Sequence, residues 1–266
     1  GVFAGTQGDV LMIAGGTNYA GQLFSQGARR AWWADIYVLQ RRYTADQKTI
    51  YEWLPAGAEL PRNLAYGASA NTPDGVLCIG GAEVNQVSDA CFLMKWNTES
   101  KKVEFGDYPK LPKPLACASA VRIGSIVYVM GGTLQMPAGR ATNTFLALDL
   151  SKKGDEKNFV WKALPAWDGP GRIFPIAAAS LENGVESIYL CGGRDPGHAH
   201  RCPIPGHHRQ RRQGRALHHR PRGQAIGGGQ QPDRRCAGAA RPGLHTVHRH
   251  LGRDHTMKLQ HTVLAA

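Results

Sequence analysis

Asp74-Gly-Val-Leu-Cys-Ile-Gly-Gly81 reads as a tight turn, a short apolar strand and a glycine pair, and the same grammar recurs three more times. Gly8-Asp9 runs through Val-Leu-Met-Ile-Ala to Gly15-Gly16. Gly124 runs through Ser-Ile-Val-Tyr-Val-Met to Gly131-Gly132, and Asn183-Gly184 leads through Ile-Tyr-Leu-Cys to Gly192-Gly193. The first glycines of the pairs, Gly15, Gly80, Gly131 and Gly192, are spaced by 65, 51 and 61 residues. Recurrence at such a period marks a repeat architecture and takes precedence over any single motif.

Around each copy lie three further strand-like runs. Residues 1–57 contain Val2–Thr6, Val10–Ala14, Asp35–Leu39 and Ile50–Leu54; residues 58–111 and 112–165 repeat the order, and residues 166–195 begin it a fourth time. Strands of about five residues joined by Gly, Asn or Asp turns form small antiparallel sheets, and such a sheet is buried only when another stacks on it. The glycine pairs suit a backbone with positive φ or close approach. The aromatics of the fourth strands, Trp53, Phe105 and Trp161, are expected to pack between neighbouring sheets. The fold class is therefore all-β, a kelch β-propeller of which about three and a half sheets are present. Within the first unit, Thr17–Ala34 reads as a long loop of the kind that carries binding residues.

Composition changes after residue 195. All 11 histidines lie beyond it, with 13 of the 32 Lys and Arg and only two acids, Asp233 and Asp254. Residues 196–266 hold no Phe, Trp, Tyr, Ser, Asn or Glu, so they offer little for a core, and they are expected to form an irregular or disordered basic tail. Arg, His, Pro, Gly, Ala and Gln are what a GC-rich gene yields out of frame, and the break falls in mid-repeat rather than at a domain boundary. The tail is read as an out-of-frame extension in place of the last sheets. A basic arm for nucleic acid is the alternative.

Residues 1–195 contain no histidine, which disfavours a Ser-His-Asp arrangement, a histidine metal site or a copper centre there. Cys202 and Cys236 match no zinc spacing, and the strand cysteines read as small core residues. No metal or cofactor is expected, and neither a nucleic acid nor a membrane partner. No signal peptide opens the sequence at Gly1 and no run of about 18 apolar residues occurs.

The opening Gly1-Val-Phe-Ala-Gly-Thr-Gln-Gly-Asp through Gly15-Gly-Thr-Asn-Tyr-Ala-Gly21, the segment Ser25–Leu39 and the span Glu59–Ser69 resemble the kelch-type N-acetylneuraminate epimerases, or sialic acid mutarotases. The order of these segments resembles the cyclically permuted branch, and the resemblance extends over residues 1–195. It implies a periplasmic or secreted isomerase that interconverts sialic acid anomers by opening and reclosing the ring through general acid and base catalysis. The family's acid/base Glu sits in a Gly-Glu-x-Lys-Pro-Gly-x-Arg-Thr string. The nearest string here, Gly238-Ala-Ala-Arg-Pro-Gly-Leu-His-Thr246, has Ala239 in place of the Glu. No catalytic residue is therefore assigned, and the chain is expected to be inactive.

The resemblance makes Arg172, in Gly169-Pro-Gly-Arg-Ile-Phe-Pro, a candidate contact to the sugar acid on a loop feeding the central channel; Asn18 is a second. Tyr66 is expected to pack between sheets, Arg29-Arg30 to be solvated, and Leu64 stands where some family members carry an Arg. The competing function is a non-catalytic interaction or carbohydrate-binding propeller. An unclosed ring should leave sheet faces exposed and make the chain aggregation-prone or dimer-seeking.

Overall fold

The computed structural model describes residues 1–19, 21, 27, 29–136, 139–182, 185–195, 244–249 and 259–264. Four four-stranded antiparallel sheets follow one another along the chain. The first contains β1 (Phe3–Gln7), β2 (Val10–Ala14), β5 (Ile36–Tyr43) and β6 (Thr49–Leu54). The second runs β7 (Ala68–Thr72), β8 (Gly75–Ile79), β9 (Cys91–Asn97) and β10 (Lys102–Tyr108). The third runs β11 (Ala116–Ile123), β12 (Ile126–Thr133), β13 (Phe145–Asp149) and β14 (Lys162–Ala163), with a single 3-10 turn at Leu150–Lys152. In the second and third, neighbours in sequence are neighbours in the sheet, the arrangement that short turns favour, while in the first a separate two-stranded hairpin falls between β2 and β5. No helix among the described residues is long and apolar enough to cross a membrane.

The fourth sheet differs from the sequence reading. After β15 (Ile173–Glu182) and β16 (Val185–Arg194) it takes β17 (Leu244–Arg249) and β18 (Leu259–Leu264) from the stretch expected to be irregular. There are thus four four-stranded sheets instead of three and a half. Both segments carry β-branched Thr-Val pairs, Thr246-Val247 and Thr262-Val263, local strand formers inside an otherwise strand-poor composition. β17 pairs with β16 from Glu186↔Arg249 to Leu190↔His245, so Leu244 enters at the position that Ile36, Cys91 and Phe145 hold in the other sheets.

Each sheet has two apolar faces. The first strands β1, β7, β11 and β15 lie side by side, tied by Ala4 N–H to Ser69 Oγ at 3.1 Å and Ala177 N–H to Ser119 Oγ at 3.1 Å. Met12 and Ala14 of the first sheet form one core with Val76, Cys78, Phe92 and Met94 of the second. Leu77 and Ile79, on the other face of the second sheet, join Val127, Val129, Leu146 and Leu148 of the third. Tyr128 and Met130 then meet Ile188 and Leu190 of the fourth. The second and third sheets thus each bury one face against their predecessor and the other against their successor.

The glycine pairs latch this stack. All eight glycines have positive φ, for example +61° at Gly80 and +108° at Gly81. The second N–H of each of the first three pairs donates to the carbonyl that leads into the next sheet: Gly16 to Leu64 at 2.8 Å, Gly81 to Leu115 at 2.9 Å and Gly132 to Arg172 at 2.7 Å. A Cβ on Gly80 would collide with the Leu115 carbonyl oxygen, so close approach and left-handed backbone are required together.

The fourth-strand aromatics behave unequally. Trp161, just before β14, is 7 % exposed and donates its indole N–H to the Pro109 carbonyl at 2.8 Å, as expected. Phe105 is 40 % exposed and stacks edge-on with Phe92. Trp53 is 62 % exposed, with none of the four described sheets packed over it.

Candidate functional site at the inner mouth

Two residues beyond each latch carbonyl stands a non-glycine residue in the left-handed region: Tyr66 at φ +61°, Cys117 at +58° and Phe174 at +53°. Backbone hydrogen bonds link the first two, Tyr66 N–H to the Gly1 carbonyl at 3.1 Å and Cys117 N–H to the Tyr66 carbonyl at 2.7 Å. Non-glycine residues in this region cost about 1–2 kcal/mol each, and such outliers cluster at functional sites. Three at one repeat position, beside the first strands, define a mouth whose chemistry is set by their side chains.

The short hairpin of β3 (Thr17–Tyr19) and β4 (Arg30–Trp32) lies over this mouth. It replaces part of the loop expected over Thr17–Ala34, and it forms because Thr17-Asn-Tyr and Arg-Ala-Trp32 pair a β-branched and aromatic set across the hairpin. Tyr66 is therefore wedged edge-on between Trp32 at 5.9 Å and Phe174 at 5.9 Å. Arg30 donates to the Tyr66 and Tyr19 hydroxyls at 3.0 Å each, with its guanidinium carbon 5.3 Å from the Tyr19 ring centroid and 5.9 Å from that of Tyr66. The hydrogen bond to Tyr19 raises the Arg30 pKa further, so the group is a fixed cation. Arg194 stacks 6.0 Å over Phe174. Neither Arg30 nor Arg194 takes part in an ion pair among the described residues.

Burial pushes the Cys117 thiol up to about 11, an effect that Arg194 only partly offsets, so it is a thiol and not a nucleophilic thiolate at neutral pH. Three carboxylates are shifted, and all three downwards. Asp46 is lowered by hydrogen bonds from Lys48 and Thr44, and Asp155 by Asn158; Asp149, though partly desolvated, is lowered by Ser151. Asp46 and Asp155 lie between strands and Asp149 ends β13, and no group of three potential metal ligands occurs among the described residues.

The two residues singled out from the sequence lie elsewhere. Arg172 is 7 % exposed, its guanidinium donates to the Gly192 carbonyl, and burial lowers its pKa. It occupies the latch position that Leu64 and Leu115 hold in the preceding sheets, which is why it turns inward. Asn18 is exposed and accepts from Trp33 Nε1 at 2.9 Å on the side of the hairpin away from Tyr66. There it borders a cavity of about 350 Å³ with Thr17, Trp33, Asp35 and Tyr37. Arg30 and Tyr66, the residues brought together instead, were read from the sequence as solvated and as inter-sheet packing.

No family profile matches the chain. An N-acetylneuraminate epimerase of Brucella suis is 33% identical over 114 residues, 39% of this chain and 27% of that protein. One of Yersinia enterocolitica is 37% identical over 106 residues, 36% of this chain and 24% of the relative, and one of Vibrio cholerae 30% identical over 113 residues, covering 39% and 27%. A segment of this chain is homologous to the N-acetylneuraminate epimerases. The matched part spans only about a quarter of those epimerases. The all-β stack is consistent with a propeller, and no closed sheet occurs in it. The epimerase motif Gly-Glu-x-Lys-Pro-Gly-x-Arg-Thr has its nearest counterpart at residues 238–246. Its first part lies outside the described residues, and its last three enter β17.

Proposed function

We propose that this chain binds a sialic acid at the inner mouth of an epimerase-type propeller and does not turn it over. The observation that carries the reading is the Arg30 guanidinium, sandwiched between two tyrosines and free of any ion pair among the described residues. A guanidinium has five N–H donors, and two are spent on the hydroxyls; the rest suit a carboxylate, for which the planar fork is the natural partner. Tyr66, Trp32 and Phe174 supply apolar edges for the ring of the sugar, and Arg194 a second cation.

Ring opening needs a proton taken from the anomeric hydroxyl and one delivered to the ring oxygen. The usual acid/base groups are carboxyls and histidines, and the residues gathered around Arg30 and Tyr66, namely Tyr19, Trp32, Cys117, Phe174 and Arg194, include neither. This favours the binding-only reading over catalysis. Titration of the full chain with N-acetylneuraminate, followed by ligand-observed NMR, should show saturable binding that Arg30→Ala weakens at least about tenfold, the value of one charge-assisted contact. Anomerisation should run at the buffer rate. Acceleration would overturn the inactive assignment, whereas absence of saturable binding would overturn the mouth itself.

A further inference from the structure

The second and third sheets repeat one another with a single offset of 51 residues from the lead-in to just past the glycine pair, so that Leu64 matches Leu115 and Gly81 matches Gly132. The same offset matches Arg62 with Lys113 and Glu83 with Leu134. The backbone supplies two further matches. Gly80 N–H donates to the Ala90 carbonyl and Gly131 N–H to the Thr144 carbonyl, so the preceding residues Asp89 and Asn143 are equivalent. Asp107 faces Phe92 and Ala163 faces Leu146, so Lys110 and Ala166, three residues further on, are equivalent as well.

In the second sheet these four positions make two ion pairs, Arg62 with Glu83 at 3.2 Å and Lys110 with Asp89 at 3.9 Å. In the third sheet Leu134, Asn143 and Ala166 stand where both acids and one cation would be. A balance of zero becomes one positive charge, that of Lys113, which takes part in no ion pair among the described residues. The third-sheet set surrounds a cavity of about 350 Å³, walled by Leu115, Leu134, Phe145, Leu146 and Leu164, with Lys113 and Asn143 among its lining residues. Leu115, Phe145 and Leu146 are buried, so the cavity reaches the core, while Lys113 and Asn143 are exposed and stand at its rim. Lys113 lies between Pro112 and Pro114. The first proline fixes its own φ and the second holds Lys113 in an extended conformation, so the backbone carrying the cation is set before any ligand arrives. No residue of the mouth lines this cavity.

A cavity of this size, apolar in its walls and with a few polar groups, suits a small ligand, and a cation without a counter-charge selects an anion. We infer that it binds a small carboxylic acid with an unsubstituted apolar body. The carboxylate accepts from the Lys113 ammonium and the Asn143 amide, and the apolar body lies against the leucines and Phe145. At about 30 Å³ for each water of the liquid, the space equals about a dozen waters, which limits the acid to about a dozen non-hydrogen atoms. A sugar acid does not suit these walls, because its hydroxyls would give up water with no partner in return. The ligand is therefore of a different chemical class from that of the mouth.

Sodium octanoate titrated into the full chain, followed by saturation-transfer NMR, tests this. Saturable binding is expected at about millimolar concentration or below, the range of a ligand of about ten non-hydrogen atoms. Lys113→Gln should weaken it about three- to fivefold, the worth of an ion pair at an open rim. Leu134→Glu should weaken it more than about tenfold, since it restores the acid that Glu83 offers Arg62 and sets a carboxylate against the cation. Both positions are exposed, so circular dichroism should be unchanged. Octanol, with the same body and no charge, should bind several-fold more weakly. Arg30→Ala should leave octanoate binding as it is, and N-acetylneuraminate should not displace it. Absence of saturable octanoate binding overturns the inference. So does binding that neither variant weakens or that octanol matches, which would mean apolar adsorption elsewhere. Displacement by N-acetylneuraminate, or loss with Arg30→Ala, overturns it too, by placing octanoate in the mouth.

Discussion

Replacing Gly80 by Ala tests the latch on which the stack depends. Gly80 has φ +61°, and a Cβ there would run into the Leu115 carbonyl oxygen and lie 3.2 Å from Leu111 Cδ1. The left-handed backbone alone costs a non-glycine residue about 1–2 kcal/mol. Relieving the collision requires the second and third sheets to part, which adds overpacking strain of about 1–3 kcal/mol. It also weakens the Gly81 N–H to Leu115 bond, worth about 1 kcal/mol. The total is about 3–6 kcal/mol. Gly192 provides the internal control: it occupies the same repeat position with φ +64°, but a Cβ there meets nothing within 4 Å. Gly192→Ala should therefore show only the backbone cost, about 1–2 kcal/mol. Urea unfolding of the two variants beside the unaltered chain measures the difference, which should be at least about 2 kcal/mol, with similar slopes. Equal losses for the two alanines would refute the latch and leave only the backbone conformation as the reason for the glycines.

Arg172→Leu, which copies Leu64 and Leu115 at the same position, should change stability by less than about 2 kcal/mol, since a well-packed apolar residue commonly replaces a buried charge without loss. It should also leave sugar-acid binding intact; binding lost with the fold preserved would return Arg172 to the site. Trp161→Ala removes a buried indole and its bond to Pro109, and should cost about 3–5 kcal/mol by denaturant unfolding. Desolvation raises Cys91 to about 12, so the folded chain should resist iodoacetamide at pH 8 and react there only on unfolding, as mass spectrometry would show. The same shift sets a pH dependence. The ordinary thiol value is 9.0, so folded Cys91 stays protonated after the unfolded thiol has ionised. Its contribution is complete below pH 9 and falls as pH rises towards 12, which Cys91→Ala should lessen in a plot of melting temperature against pH.

The sheets were legible because their signal is local: Val-Leu-Cys-Ile followed by two glycines contains its own strand and its own turn. What the glycines approach was not legible, since the Leu115 carbonyl lies 35 residues beyond Gly80 and nothing in either string names the other. The burial of Arg172 was hidden for a related reason. Its Gly-Pro-Gly-Arg string reads as a loop, whereas its position two residues before Phe174 matches Leu64 before Tyr66 and Leu115 before Cys117. Aligning the lead-ins instead of the glycine pairs would have exposed this. Arg30 was passed over as half of a charged pair; the alternating Arg30-Ala-Trp32 opposite Thr17-Asn-Tyr19 was the available hint of a hairpin. The strands at 244–249 and 259–264 were hidden by a composition averaged over 71 residues, which masks two six-residue runs of strand formers.

Because each glycine pair closes on a carbonyl supplied by the segment after it, a sheet emerging from the ribosome is unfinished until its successor has begun to appear. Maturation should trail synthesis by most of one repeat, and nascent chains halted near residue 112 should hold a protected first sheet and a protease-sensitive second one, with protection arriving only once Leu115 is free to dock. The order of assembly is in this way written into the direction of translation.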